Sequence, residues 1–197
     1  MMTQTHLLLA AGLFTRPGRT KRNTAVIAGA LIPDASIYLL FAYASLTGIP
    51  GDTLWNETYW REPWQTLSAI SNSIPLYLGF LGIALLVATP SDGRPRWQSL
   101  PALFCLAALV HLAGDFPVHH DDAHVHFWPF SDWRFHSPVS YWDRDHHGGT
   151  FAIIEALFGL VMMSVLFLRF RALWVRILLG LSMACYIAVP VYFLFLS

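Results

Sequence analysis

Charge is scarce in this chain: Asp, Glu, Lys and Arg make up 12% of its 197 residues, against 55% hydrophobic residues. With a positive mean hydropathy, that excludes a soluble domain hiding its apolar surface in one core and points to a small polytopic membrane protein. Cysteine is scarcer still. Cys105 and Cys185 are the two present, both inside apolar runs, so neither a disulfide framework nor a cysteine-based zinc motif is expected. The twelve basic residues balance the twelve acidic ones, and nothing favours nucleic acid as a partner. Internal repeats and low-complexity tracts are missing, so residues 1–197 read as a single membrane domain. The pattern of a cleavable signal peptide is missing as well, because the basic cluster follows the apolar stretch HLLLAAGLF (6–14) instead of preceding it. That stretch is expected to be kept as a short half-inserted or bundle-buried helix.

What the chain does have is apolar windows of about 20 residues, long enough to cross a hydrocarbon core of roughly 30 Å. They lie at 24–48, 69–89, 149–170 and 173–196, with a shorter one at 99–115. The expected fold class is therefore all-α, a polytopic helical membrane protein with about five transmembrane helices. Basic residues gather at Arg16, Arg19, Lys21 and Arg22, at Arg94 and Arg96, and at Arg169, Arg171 and Arg176. The positive-inside rule makes these clusters cytoplasmic and sends 49–68 and 116–148 to the other side. Six tryptophans near the outer boundary (55, 60, 64, 128, 133 and 142) and two near the inner one (97 and 174) fit an interfacial aromatic belt. Segment 49–68 reads as a modest loop. Segment 116–148 is a long, aromatic, His-rich extracytoplasmic loop, expected to be functional rather than disordered.

Few ionisable residues fall inside the apolar segments: His6, Asp34, His111, Asp115 and Glu155. Each is costly in lipid and should face the bundle interior with a partner. Counting from the basic clusters at about 1.5 Å per residue puts His6 and Asp34 roughly 15–18 Å deep, and His111 and Glu155 roughly 21–23 Å deep. Five polar side chains thus converge on the outer half of the membrane. His111 and Asp115, four residues apart, share one helix face, and imidazole with carboxylate is a donor set of catalytic zinc sites. A helical His/Asp couple is also often just a hydrogen bond. Pro117 disfavours helix at Phe116, so the chain turns there and His119 and His120 can reach back as further ligands. The other loop residues, His124, His126, His136, His146, His147, Asp121, Asp122, Asp143 and Asp145, read first as a solvated surface. Glu155 stands in an otherwise apolar run (GGTFAIIEALFGLVMM) and is the candidate general base. Asp34 follows Pro33, whose ring removes an intrahelical bond, so it is equally a ligand or a partner for freed backbone donors.

Three stretches, in order, carry a resemblance to a known family: HLLLAAGLF, GALIPD in the first long span, and HLAGDFPV followed by FWPFSDWRF. Together they resemble the YdjM-like family of bacterial inner-membrane, metal-dependent hydrolases and span about two thirds of the chain. The resemblance implies a membrane-embedded metal site at His6, Asp34, His111 and Asp115, and placement in a bacterial inner membrane. The chain departs from that family where a His-Arg pair and Thr-His-Ser are usual. The corresponding stretch, YWREPWQTLSAISNS, contains no histidine. The function expected from all this is hydrolysis of a phosphoester or similar bond in a lipid-like substrate near the outer leaflet, dependent on a divalent metal, with zinc the expected ion. The alternative is a membrane protein that binds or transports metal without hydrolysing anything.

Overall fold

The computed structural model describes residues 1–89, 93 and 95–195, with 189–195 described by backbone alone. Arg94 and the expected end of the last span at Leu196 lie outside the described residues. The chain is all-helical; among the described residues the only β-type pairing is an isolated antiparallel bridge between Val125 and Arg134. Nine α-helices follow in order among the described residues: α1 (Thr3–Phe14), α2 (Thr20–Leu31), α3 (Ala35–Thr47), α4 (Gly51–Thr53), α5 (Glu62–Ser71), α6 (Ile74–Val87), α7 (Leu100–Asp115), α8 (Gly148–Arg169) and α9 (Leu173–Phe195).

Two stretches are long and apolar enough to cross a membrane, Glu62–Val87 and Gly148–Arg169. A third crossing results if α2 and α3 form one broken span. That is fewer than the five expected. The pair α2 and α3 is bent by 70° because Pro33 cannot continue the helix. The helix α7 and the segment Leu173–Ala188 are apolar but shorter. Segment 49–68 is not the loop expected of it: α4 runs into a π-turn at Leu54–Thr58, and α5 starts at Glu62 with Pro63 in its first turn. Proline is well placed there, since the first turn has no use for its missing N–H.

The N-terminal helix is buried in the bundle. It packs on α2, α7 and α8, with Thr5, His6, Leu8 and Ala10 buried. An apolar residue on nearly every side suits a helix enclosed by others. Small residues set the spacing at this junction, where Ala10, Val26, Ala30, Leu103 and Ala107 form one core cluster. Such residues let helix backbones approach closely. The tightest approach is at Gly29, where an added Cβ would sit 2.1 Å from the carbonyl oxygen of Phe104. Backbone cannot swing aside as a flexible side chain can, so α2 must move away from α7.

Gly29→Ala is therefore expected to cost about 1–3 kcal/mol, the usual range for overpacking, and to lower the thermal midpoint of the detergent-solubilised protein. Gly79→Ala on α6 is the control, because its Cβ meets nothing within 4 Å. Equal midpoints for the two variants would refute the close-packing account of the α2–α7 contact.

The segment after α7 is ordered by backbone hydrogen bonds between distant residues. Ser137 N–H donates to His119 O at 3.0 Å, Tyr141 N–H to Val118 O at 3.0 Å, and Ile74 N–H to His126 O at 2.9 Å. These bonds fold the segment over the end of α7 and the start of α6.

Candidate metal centre

The end of α7 supplies the centre of the site. One helical turn apart, His111 and Asp115 project from the same face, both fully buried or nearly so, and His111 Nε2 lies 2.8 Å from Asp115 Oδ2. From α1, His6 Nε2 forms a hydrogen bond of 2.8 Å with Asp115 Oδ1. The His6 and His111 rings stack at 3.5 Å with 9° between their planes. Gly114 makes room for this contact, since a Cβ there would come within 3.3 Å of the His6 ring. Ligand atoms of His6, His111 and Asp115 all lie within 4.8 Å of one another, which makes the trio a group that could hold a metal ion.

The His111 ring is held in one tautomer. His111 Nδ1 lies 2.7 Å from the carbonyl oxygen of Ala30, and a carbonyl only accepts, so Nδ1 carries the hydrogen. In the neutral ring the lone pair is then on Nε2, aimed at the Asp115 carboxylate, and Nε2 has no aligned hydrogen bond. Two acceptors 2.8 Å apart in a buried site call for a cation between them or a proton on the ring. A backbone carbonyl behind the far ring nitrogen is also how metal-bound histidines are usually oriented. His6 Nδ1 is a second buried nitrogen without a hydrogen-bond partner.

Around the trio, Asp34 Oδ1 is 3.5 Å from His111 Nε2. The Asp34 side chain does not cap α3, so the freed backbone donors are not what holds it. Its Oδ2 instead accepts a 2.6 Å hydrogen bond from Thr3, whose hydroxyl in turn accepts one from Tyr38 at 2.7 Å. His119 also comes close, with Nε2 3.3 Å from Asp115 Oδ1. The structure does not bring His120 to this group; its Nδ1 donates to Ser137 O at 2.6 Å. The α-amino group of Met1 also contacts Asp115 Oδ1 at 2.6 Å. Glu155, on α8, is buried; its Oε1 accepts the Met2 N–H at 2.8 Å and its Oε2 has no hydrogen-bond partner.

Three residues first read as loop surface belong to the surroundings of the site. Asp122 Oδ2 lies 3.0 Å from His119 Nδ1, and His124 and His126 are buried beside it. Burial, helped by the neighbouring His119, pushes the His124 ring down to about 3, so it is neutral at physiological pH. Burial also opposes a charge on His119, but the Asp115 and Asp122 carboxylates outweigh it and hold that ring above its ordinary value. In turn, His119 keeps Asp122 below the usual carboxylate range despite its burial. The i, i+3 spacing of His119 and Asp122 was the one sequence signal for this couple.

Beside the group lies a cavity of about 1020 Å³, lined among others by Asp34, Tyr38, His119, Asp122, Tyr141 and Glu155 but not by His6, His111 or Asp115 themselves. Trp55, Trp60 and Trp142 also line it and are each more than 40% exposed. No family model matches the chain, and neither a curated protein nor a solved structure matches it.

Proposed function

We propose that this chain is a membrane-embedded, metal-dependent hydrolase acting on a phosphoester or similar bond of a lipid-like substrate, within the YdjM-like family that its three motifs resemble. The observation that carries the reading is the buried His6–His111–Asp115 group beside a cavity large enough for a small ligand or a lipid head group. Two imidazoles and a carboxylate are a donor set that suits zinc, and His6 Nδ1 and His111 Nε2, without hydrogen-bond partners, are nitrogens that could bind such an ion. When bound, a divalent ion supplies Lewis acidity and an acidified water.

The protein's own groups do the rest. Asp115 and His111 hold the centre, Ala30 O fixes the His111 tautomer, and Asp122 orients His119 from behind. Glu155, buried at the edge of the cavity, is the group that would take up a proton from a water there. The tryptophans at the cavity sit at head-group level, and an acyl or isoprenoid tail runs into the bilayer between the helices.

In this reading α2–α3, α5–α6, α7, α8 and α9 make five crossings of a bacterial inner membrane, the two short helices being tolerated by local thinning or by burial against neighbours. The segment 116–148 faces outward. A cysteine at Ser131, in a variant lacking Cys105 and Cys185, then reacts with an impermeant thiol reagent from outside, whereas one at Lys21 does not.

The decisive test is turnover. Purified protein is offered phospholipids, isoprenoid phosphates and simple phosphoesters, with and without chelator. Chelator-sensitive hydrolysis that zinc restores is the expected result. If the protein retains metal yet hydrolyses none of them above the chelated control, the reading gives way to a metal-binding or metal-transport protein.

A further inference from the structure

Away from the buried group, the outer segment gathers a second set of histidines that the proposed chemistry does not use. His120 and His146 stack at 3.6 Å with 22° between their rings, and His136 stands edge-on to His120 at 6.2 Å. Each of the three has its Nδ1 engaged by an atom that only accepts. His120 Nδ1 donates to Ser137 O at 2.6 Å, His136 Nδ1 to His120 O at 2.8 Å, and His146 Nδ1 to the Asp143 carboxylate at 2.6 Å. In the neutral rings all three lone pairs therefore sit on Nε2. Two backbone carbonyls and one carboxylate behind three imidazoles make up the outer-shell pattern that orients metal-binding histidines.

A loop that needed only hydrogen-bond glue would be served by Ser or Asn at these positions. What imidazole adds is the second nitrogen, and three of them are left over in one patch. Asp121 adds a carboxylate oxygen 3.5 Å from His120 Nε2, on a side chain that is 67% exposed. The stacked rings lie in nearly parallel planes, so their Nε2 lone pairs do not converge on one point until one ring turns.

We infer that His120, His136 and His146, with Asp121, form a surface site for a divalent transition metal ion of the zinc, nickel or copper type, separate from the buried group. Among the described residues only the buried group has its ligand atoms already within 4.8 Å of one another. Uptake at the surface thus needs a side-chain swing, which the exposure of His136 and the 27% and 32% side-chain exposure of His120 and His146 allow. Imidazole-rich, partly hydrated sites of this kind favour such metals over magnesium or calcium. The site adjoins His119 in the chain, and it would capture ions from solution.

The test is zinc titration of the full chain in detergent, read by competition with a chromophoric chelator. Wild type is expected to take up one equivalent more than His120→Ala or His146→Ala, with thermal midpoints unchanged. Asp143→Asn keeps every ligand and removes only the charge behind His146, so it should weaken that equivalent by about 10–100-fold. If either alanine variant fails to fold, Asp143→Asn carries the test, and unchanged affinity there overturns the proposal. Retention of the extra equivalent in both alanine variants overturns it as well. The buried centre is judged separately: an equivalent removed by His111→Ala but kept in His146→Ala belongs to it. Loss of the surface equivalent alone leaves the proposed function standing, and the reverse result removes the buried site while keeping this one.

Discussion

Asp115→Asn is expected to abolish metal binding by the buried group, which could hold an ion, while leaving the side-chain volume nearly unchanged. The reason is the position of this one carboxylate, 2.8 Å from His6 Nε2 on one oxygen and 2.8 Å from His111 Nε2 on the other, with His119 at 3.3 Å. An amide is neutral, offers one acceptor in place of two, and turns an N–H toward one of the imidazoles. Affinity should fall by more than the roughly 10–100-fold that a change behind the ligands costs. His111→Ala, which removes the ring held by Ala30 O, should do the same. Both are best measured by elemental analysis in a His120→Ala/His146→Ala background, so that metal at the surface is not counted. Wild-type metal content in both variants would take His111 and Asp115 out of the site. Losing a partner in so buried a polar group also costs stability, by up to about 3–5 kcal/mol where a charge is left unpaired, so the thermal midpoint should be recorded beside the metal content.

The second large effect concerns Glu155. It is 2% exposed, sits at the cavity, and uses only one of its oxygens, for the Met2 N–H. Glu155→Gln keeps an acceptor for that N–H and nearly the same volume, but cannot take a proton. If Glu155 is the general base, metal stays bound and turnover drops by about 10²–10⁴. Simultaneous loss of metal would make it a ligand instead. Full activity with full metal content would reduce it to a packing partner of the α1 N-terminus, and the base would have to be sought at His119 or Asp34.

Apolar runs, the pairing of His111 with Asp115 and the break at Pro33 were legible in the sequence, because in a helix spacing alone decides which side chains share a face. Counting depth from the basic clusters also put His6 and Asp34 in the outer half of the membrane with His111, and in the structure His6 meets Asp115 and His111, while Asp34 lies near His111. Less legible was the extent of each helix. Residues 49–68, polar and rich in Trp and Pro, look like a loop, yet α4, a π-turn and the start of α5 occupy them, since packing of Leu54 and Tyr59 against Leu40 and Ala44 outweighs weak local propensity.

The tertiary structure alone decided the fate of neighbours in segment 116–148. His119 turns inward to Asp115, and His120 turns outward to stack on His146. His124 and His126 are buried near the site with Asp122 half-buried beside them, whereas His136 is exposed. No periodicity could have assigned these directions. In a segment without regular secondary structure, a side chain points where hydrogen bonds between distant residues turn the backbone, here Ser137 to His119 and Tyr141 to Val118, and those partners are adjacent only after the chain has folded.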